Sequence, residues 1–440
     1  MSHGAAGEAA TLGGDNARGA SRLRWLALSL AALTIFGSYY ESDVIGPISD
    51  LLFRQRHLSH LQIGDLTAVI SLPNIPLALL NGYLIDRYGA ARVTLWAAVI
   101  GFIGAVLTAI GEPYELMWTG RLVFGVSEGA IFISLVAGVA QWFSRRDVAL
   151  AIAIFLSLAR VGSASVDLST SFAKPLYDAG WQPPLVLGAA IAGAGVVAAV
   201  LLLLIDAKRA PAATESSQSK LQWRDLWSFD LSYWFILGVH VLYAAVFFPF
   251  RQTYAIMYLQ HAKGLPLDQA GPVNSGVFVT AVFMTAFFGL LADRFGHRAL
   301  MLAAGTALLP VTFVILGATD LSPWLSTALM GVSWALVPAV IWPSTTFLVE
   351  PRRLGTALGM IALVQNFGLW ASNRAAGWIA DLAHASDTNP AGYDSMLWYF
   401  GLLSLTALTS AVLLWRRELG PHGHGLEDVR VERRLSPEAA

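Results

Sequence analysis

Long apolar runs separated by short polar connections dominate this chain from residue 22 to residue 415. An α-helix needs about 20 consecutive, mostly apolar residues to cross the hydrocarbon core of a bilayer. Twelve runs meet this requirement, at residues 22–44, 62–84, 91–111, 115–141, 147–172, 184–206, 230–259, 266–292, 297–318, 323–348, 355–382 and 394–415. The pattern predicts an all-α membrane protein with twelve transmembrane helices.

The most polar internal connection divides the runs into two groups of six. Residues 207–228 carry Pro, Ser, Gln and charged residues, a composition typical of a loop, and we interpret them as a cytoplasmic linker. The linker separates an N-terminal six-helix bundle, residues 22–206, from a C-terminal bundle, residues 229–416. Residues 1–21 are small, polar and Gly-rich, which predicts a disordered cytoplasmic tail. Residues 417–440 form a second predicted cytoplasmic tail.

The positive charges set the predicted orientation. Of the 28 Lys and Arg residues, 20 lie in the two tails, the linker and the loops on the same side of this topology. Because short loops rich in Lys and Arg stay in the cytoplasm, both termini are predicted to be cytoplasmic. Arg greatly outnumbers Lys and Ala is abundant, so we expect a multi-pass protein of the cell membrane, in a bacterium the inner membrane.

Composition excludes several classes of function. Hydrophobic residues make up 56% of the chain and charged residues 13%, whereas a soluble domain has about 25% charged residues. The net charge of −1 argues against a nucleic-acid partner. The chain has no cysteine, and its nine histidines form no zinc-binding pattern such as HExxH. We therefore expect no metal, no cofactor and no enzymatic activity.

One eight-residue motif occurs twice, after the second predicted span of each half. The copies are GYLIDRYG at residues 82–89 and GLLADRFG at residues 289–296, and five of their eight positions are identical. Gly permits a tight turn, and a carboxylate can cap a helix and pair with a nearby Arg. We interpret both copies as cytoplasmic gating motifs that latch one transport state, the alternative being an ordinary charged turn. The gating residues are Gly82, Asp86, Arg87, Gly89, Gly289, Asp293, Arg294 and Gly296.

This Gly-x-x-x-Asp-Arg-x-Gly pattern resembles the loop motif of the major facilitator superfamily. Other segments resemble one branch of it, that of major facilitator superfamily domain-containing protein 1, a dipeptide transporter. They are residues 37–40, 120–125, 158–162, 248–250, 273–275, 342–343, 354–359 and 365–368. The resemblance implies two pseudo-symmetric six-helix bundles that rock about a central site, which gives alternating access. It also implies dipeptide transport as a uniporter, and the animal relatives work with an accessory subunit.

Two charged residues lie deep in predicted spans four and five. Glu128 is near the middle of span four, and Arg160 lies at a roughly matching depth in span five. A charge at the bilayer centre costs at least ~2.5 kcal/mol, so each needs a partner, a wet cavity or a function. We predict that Glu128 binds the ammonium of a dipeptide and that Arg160 binds its carboxylate through two parallel N–H···O bonds. The resemblance implies the same two roles.

Alternatives exist for these charges. Glu128 and Arg160 could instead neutralise each other in a salt bridge that only supports packing. Arg121 lies two turns before Glu128 on the same helix face, where it either shields the site or extends to the outer interface. Asp167 lies two turns beyond Arg160, and we interpret it as a structural partner or a cavity liner.

Further residues are predicted to complete the substrate site. Tyrosine offers a hydroxyl and a ring surface, although tyrosine near a span end is also typical of the membrane interface. Asn366, deep in a span, needs a hydrogen-bond partner from the ligand or from a neighbouring helix. Arg374 departs from the branch pattern and either adds a cation to the cavity or faces the outer headgroups. The predicted substrate-binding set is Glu128, Arg160, Tyr39, Tyr40, Tyr243, Trp342, Gln365, Asn366 and Arg374.

The predicted function is secondary active or facilitative transport of dipeptides. The rival is proton-coupled transport of a small organic carboxylate, which a cavity cation at Arg374 would favour. If protons are coupled, Glu128 is the expected carrier, because its charge depends on the substrate and on Arg160. A non-transporting receptor is disfavoured because both gating motifs are intact. The expected partners are membrane lipid, a small-molecule substrate and protons; we expect a monomer, with an accessory subunit left open.

Overall fold

The computed structural model describes residues 4–144, 147–207, 229–350 and 353–428, without the side chains of residues 4–22, 78, 79, 149, 286 and 293. All regular structure in this part of the chain is helical, and it contains no β-strand. The predicted all-α class is therefore confirmed. Most of the predicted linker, from residue 208 to residue 228, lies outside the described residues.

The first half has helices at all six predicted spans and two short helices between them. Its helices are α1 (Gly4–Ser42), α2 (Ile45–Arg56), α3 (His60–Ala68), α4 (Ser71–Tyr88), α5 (Ala90–Ile110), α6 (Tyr114–Trp142), α7 (Val148–Phe172), α8 (Lys174–Asp178) and α9 (Gln182–Asp206). Predicted span two is divided between α3 and α4. The chain bends by 64° between residues 60–77 and 80–88, and Pro76, which lacks the backbone N–H of regular helical bonding, lies just before this bend.

The second half repeats this arrangement. Its helices are α10 (Leu231–Pro249), α11 (Ala255–His261), α12 (Leu267–Phe295), α13 (Arg298–Ala318), α14 (Pro323–Leu348), α15 (Leu354–Leu382) and α16 (Gly392–Glu418), with a π-helical turn (Phe250–Tyr254) between α10 and α11. The π-helical turn follows Pro249, which lacks the backbone N–H that regular helical bonding requires. Predicted span seven therefore consists of three helical pieces.

The helix lengths agree with a multi-pass membrane protein. Among the described residues, nine helices are long and apolar enough to cross a membrane, and the bent α3–α4 pair makes a tenth. The two remaining predicted spans lie on α1 and α12. A count of twelve spans is consistent with these helices and stays a prediction.

The same helix pairs pack in both halves. In the first half α1 contacts α9 and α7, α5 contacts α6 and α9, and α4 contacts α6. In the second half α10 contacts α16 and α15, α13 contacts α14 and α16, and α12 contacts α14. Because these pairs match span for span, the two bundles are pseudo-symmetric. The halves meet where α7 packs on α12 and where α15 packs on α3 and α4.

The N-terminal segment differs from the sequence expectation, and the C-terminal tail makes contacts that the sequence did not predict. Helix α1 begins at Gly4, within the tail expected to be disordered, and this stretch is rich in Ala, the strongest helix former. The predicted C-terminal tail is ordered as far as residue 428. Its Leu426 is buried, and the backbone N–H of Arg298 at the start of α13 donates to the Leu426 carbonyl at 2.9 Å. The polar composition of the tail gave no indication of this contact, because the contact depends on single residues.

Candidate functional site

Both gating motifs end at a glycine that closes a helix. Gly89 and Gly296 have φ angles of 86° and 66°, a region that favours glycine. Each backbone N–H donates to a carbonyl of the preceding helical turn. Arg87 donates to the hydroxyl of Tyr83 on its own helix at 2.6 Å, and Asp86 is exposed and forms no ion pair among the described residues. Within the described part of the chain, the expected latch of the first copy is therefore not observed.

The second gating motif is described only in part. The side chain of Asp293 lies outside the described residues, so the pairing expected for it stays a prediction. The Arg294 guanidinium lies 5.6 Å from the ring centroid of Phe295, the next residue. A Cβ added at Gly289 or at Gly82 would meet no atom within 4 Å, so neither glycine is required by close packing here.

The halves are joined on the side opposite to these motifs, here called the far side. A buried arginine, Arg251 in the π-helical turn, makes the central connection. It donates to Asp43, which follows α1, and to Asp167 of α7 at 2.5 Å, and all three side chains are at most 2% exposed. Asn274 of α12 donates to the same Asp167 at 3.0 Å. One cation of the second half therefore holds two carboxylates of the first.

A second group of polar side chains joins the halves on the far side, closer to the surface of the protein. The imidazole of His261 lies 2.6 Å from the Asp50 carboxylate and 2.8 Å from the Tyr393 hydroxyl. Arg54 donates to Asp50 at 2.7 Å and pairs with Asp387 at 3.4 Å. Because Asp50 and Arg54 belong to α2 and the other three to the second half, this group also links the halves.

Glu128 and Arg160 both lie within electrostatic reach of Asp43 but do not pair with each other. Ser42 donates to the Glu128 carboxylate at 2.7 Å, and Asn74 of α4 lies beside it. The side chains of Glu128 and Arg160 are both partly exposed. The Tyr39 hydroxyl lies within electrostatic reach of both. No ion pair joins Glu128 to Arg160 among the described residues, so the internal salt bridge considered as the alternative is not formed.

Aromatic rings surround the Arg160 guanidinium. It lies 4.9 Å from the ring centroid of Trp334, 5.5 Å from that of Phe278 and 5.7 Å from that of Tyr39. Trp334 in turn stacks on Phe247, with ring centroids 4.3 Å apart. Trp334 and Phe278 belong to the second half, so Arg160 contacts rings from both halves. Among the described residues, no carboxylate pairs with this cation.

Part of the predicted site on the second half comes together. The imidazole of His240 lies 2.7 Å from the Gln365 side-chain oxygen, and its ring packs edge-on against Trp342 at 5.2 Å. Tyr243 is buried, and its hydroxyl lies 2.9 Å from the Ser333 hydroxyl. Asn366 donates to the carbonyl of Ala362 in its own helix rather than to a neighbour.

Four predictions about individual residues need correction. Tyr40 and Tyr243 are both buried in the core and offer no surface to a ligand in this conformation. Arg374 adds no free cation, because it pairs across the halves with Asp65 at 2.5 Å. Arg121 does not extend to the interface: it is fully buried and donates to three backbone carbonyls. Asp167 is a structural partner, as expected.

Several residues of this region were not predicted from the sequence. Trp334 lies in the middle of predicted span ten, away from the interfaces where Trp concentrates, and that position was an available signal. His240 is a polar residue inside span seven, which is a similar signal. Asn274 lies in the segment 273–275 that resembles the branch, which was a third signal. For Asn74 we find no signal, because its partner comes from a helix distant in the sequence.

Comparison with known proteins identifies the family to which this chain belongs. The model of the Major Facilitator Superfamily matches residues 31–369 and 253–434. The lysosomal dipeptide transporter MFSD1 of Danio rerio is 28% identical over 411 residues, which cover 89% of this chain and 86% of the relative. The same transporter of Homo sapiens is 29% identical over 384 residues, which cover 83% and 82%.

Solved structures agree with the fold. The crystal structure of the nucleoside transporter NupG superimposes with a TM-score of 0.72 at 14% identity, covering 90% of this chain and 99% of that one. A bacterial homologue of the human lysosomal transporter Spinster, in an inward-facing and occupied conformation, gives 0.69 at 16% identity, covering 88% and 96%. At such low identity these structures support the fold alone.

Proposed function

The chain belongs to the Major Facilitator Superfamily, and we propose that it transports dipeptides by alternating access. The observation that carries this proposal is the arrangement of Glu128 and Arg160. Both lie within electrostatic reach of Tyr39 and Asp43, are partly exposed and form no ion pair with each other. An acid and a base that stay apart suit the two ends of a zwitterion. The names of the animal relatives, lysosomal dipeptide transporters, support the same substrate class.

The surroundings of each charge support its role. The Arg160 guanidinium lies over aromatic rings and pairs with no carboxylate among the described residues, so its N–H groups are left for a ligand carboxylate. Glu128 receives one hydroxyl donor from Ser42, so its oxygens keep acceptor capacity for an ammonium. Trp342 and the His240–Gln365 pair supply apolar and polar surface from the other half.

The closed far side fits an inward-facing state. If both termini are cytoplasmic, the Arg251 cluster and the Asp50–His261 group close the outer side. The unlatched Asp86–Arg87 motif then belongs to the state that is open to the cytoplasm. Each gating motif would engage when the bundles rock and the inner side closes.

The rival function, proton-coupled transport of a small carboxylate, has weaker support. Its support from the sequence was that Arg374 would add a second cation to the cavity. Because Arg374 is paired with Asp65, Arg160 is left as the cation for a ligand carboxylate. A ligand with a single carboxylate and an ammonium matches this arrangement better than a dianion.

Thermal unfolding of the purified protein with a ligand panel tests the proposal. A dipeptide at 100 times its dissociation constant should stabilise the protein by about 2.7 kcal/mol, whereas its N-acetyl and amidated forms should not. Glu128→Gln and Arg160→Ala should abolish the effect. Glu115→Gln, at an exposed glutamate of the same helix, is the matched control. Stabilisation by small carboxylates alone, or by dipeptides equally in all variants, would refute the dipeptide site.

A further inference from the structure

Seven ionisable side chains interact with one another around Asp43. Arg121 interacts with Glu41, Glu128 and Asp43, and Arg160 interacts with Asp43. Arg251 interacts with Asp43 and Asp167. The set contains four acids and three bases: Glu41, Asp43, Glu128 and Asp167, with Arg121, Arg160 and Arg251. If all seven are ionised, this membrane-embedded set carries one uncompensated negative charge, which low dielectric disfavours.

Glu41 is the acid with the poorest partners. Its side chain is 1% exposed, and neither carboxylate oxygen accepts a hydrogen bond. Arg121 is the charged residue that faces it, but the closest approach of the two groups is 3.5 Å. The N–H groups of Arg121 donate instead to the backbone carbonyls of Leu66, Glu41 and Ser42. On the side of α9, Gly188 contributes no polar group against the carboxylate.

The other three acids of the set have donors. Asp43 accepts from Arg251 and Gln252, Asp167 accepts from Arg251 and Asn274, and Glu128 accepts from Ser42. A buried carboxylate without donors is costly, whereas the neutral acid avoids the cost of burying a charge. A proton on Glu41 would also leave three acids against three bases. Two independent observations, the missing donors and the charge balance, thus select the same residue.

We infer that Glu41 is a proton-binding site and that its protonation is coupled to closure of the far side. The inference rests on the proposed transport function and adds a proton as co-substrate. Glu41 is the penultimate residue of α1, and two residues later Asp43 is held by Arg251 of the other half. Arg121 holds the carbonyls at this break between α1 and α2. When the halves separate on the far side, Arg251 leaves Asp43, the break is freed, and Glu41 returns its proton to water.

Two readouts test this inference. The first needs no substrate: the infrared spectrum of the purified protein at neutral pH should contain a protonated-carboxyl C=O band that is absent in Glu41→Gln and retained, shifted, in Glu41→Asp. The second uses proteoliposomes at zero membrane potential with a pH gradient of one unit, acidic on the uptake side. Wild-type protein should accumulate the dipeptide dialanine up to about tenfold for one coupled proton.

Glu41→Gln should lose this accumulation and keep exchange of labelled for unlabelled dialanine, whereas Glu115→Gln should keep both. An unchanged infrared band in Glu41→Gln, or undiminished pH-driven accumulation by it, would overturn the assignment. Loss of pH-driven accumulation in Glu128→Gln with exchange intact would move the proton site to Glu128. Absence of dialanine exchange in wild-type protein would count against the dipeptide function, and the infrared band would still decide the proton site.

Discussion

Arg160 shows how one side chain can be kept ready for a ligand. Its partners are rings rather than carboxylates, and they come from both halves of the molecule. A guanidinium against ring faces is stabilised without losing its charge, and its N–H groups stay available. A carboxylate partner would have had to be displaced by the substrate. At the residue scale, the aromatic surroundings therefore favour exchange of ligands over permanent pairing.

Trp334→Ala should weaken dipeptide binding, because it removes the ring nearest to Arg160 and the stack on Phe247. A cation–π contact contributes about 0.5–2 kcal/mol, so the dissociation constant should rise about two- to thirtyfold. Ligand titrations followed by thermal unfolding would measure it. Trp398→Ala, at a tryptophan that is 70% exposed, is the matched control. Equal affinities of both variants would exclude Trp334 from the site.

At the scale of elements, the segment after α16 ties together helix ends that are distant in the sequence. The Glu427 carboxylate accepts a hydrogen bond from the backbone N–H of Leu300 at 3.0 Å and lies 2.9 Å from the His297 imidazole. It thereby caps the start of α13. The Glu418 carboxylate accepts from Ser232 at the start of α10 and from the backbone N–H of His424. A carboxylate at a helix N-terminus is favourable for both hydrogen bonding and the helix dipole.

Leu426→Ala should destabilise the protein, since this leucine is 1% exposed at the centre of the docked segment. Truncating a buried leucine costs about 2–5 kcal/mol through lost burial and the cavity left behind. Leu419→Ala, in the same segment but 62% exposed, should have little effect. Thermal unfolding of the two purified variants would compare them. Equal unfolding temperatures would show that the segment does not stay docked in solution.

At the scale of the whole molecule, buried charges on the far side hold the two bundles together. Each bundle packs through its own repeated helix pairs, so the bundles can move as units. Arg251 reaches from one bundle to two carboxylates of the other. Breaking one partner of a buried ion pair costs about 3–5 kcal/mol, which is enough to shift an equilibrium between two conformations.

Arg251→Met should therefore open the far side more often. The chain has no cysteine, so single introduced cysteines report accessibility without background. Thr170→Cys places one in the buried contact of α7 with Gly271 of α12, and its labelling by a membrane-impermeant maleimide should increase in Arg251→Met. Thr388→Cys, at an exposed loop position, should label equally in both backgrounds. Unchanged labelling of Thr170→Cys would show that Arg251 does not hold the halves.

The sequence predicted the elements better than it predicted the contacts. Apolar runs located the helices, and both copies of the motif end at a glycine with positive φ, which suits the tight turn expected there. Tyr40 and Arg374 were assigned to the site because residue type and depth matched, yet one is buried in the core and the other is paired with Asp65. The depth of a residue along a span can be read from the local sequence. Which face of the helix a neighbouring helix covers depends on the tertiary structure.

The sequence by itself determined the membrane class, the helical spans and the twofold repeat of this protein. It could do so because lipid offers no hydrogen bonds, so each spanning segment must satisfy its own backbone and shows that requirement in its own composition. Only the tertiary structure decided which charges pair. Arg251 reaches Asp43 and Asp167, Arg160 meets rings, and Glu41 receives no donor. Those outcomes depend on helices whose contacting residues are 84 to 208 positions apart in the sequence and are brought together by the packing of two bundles.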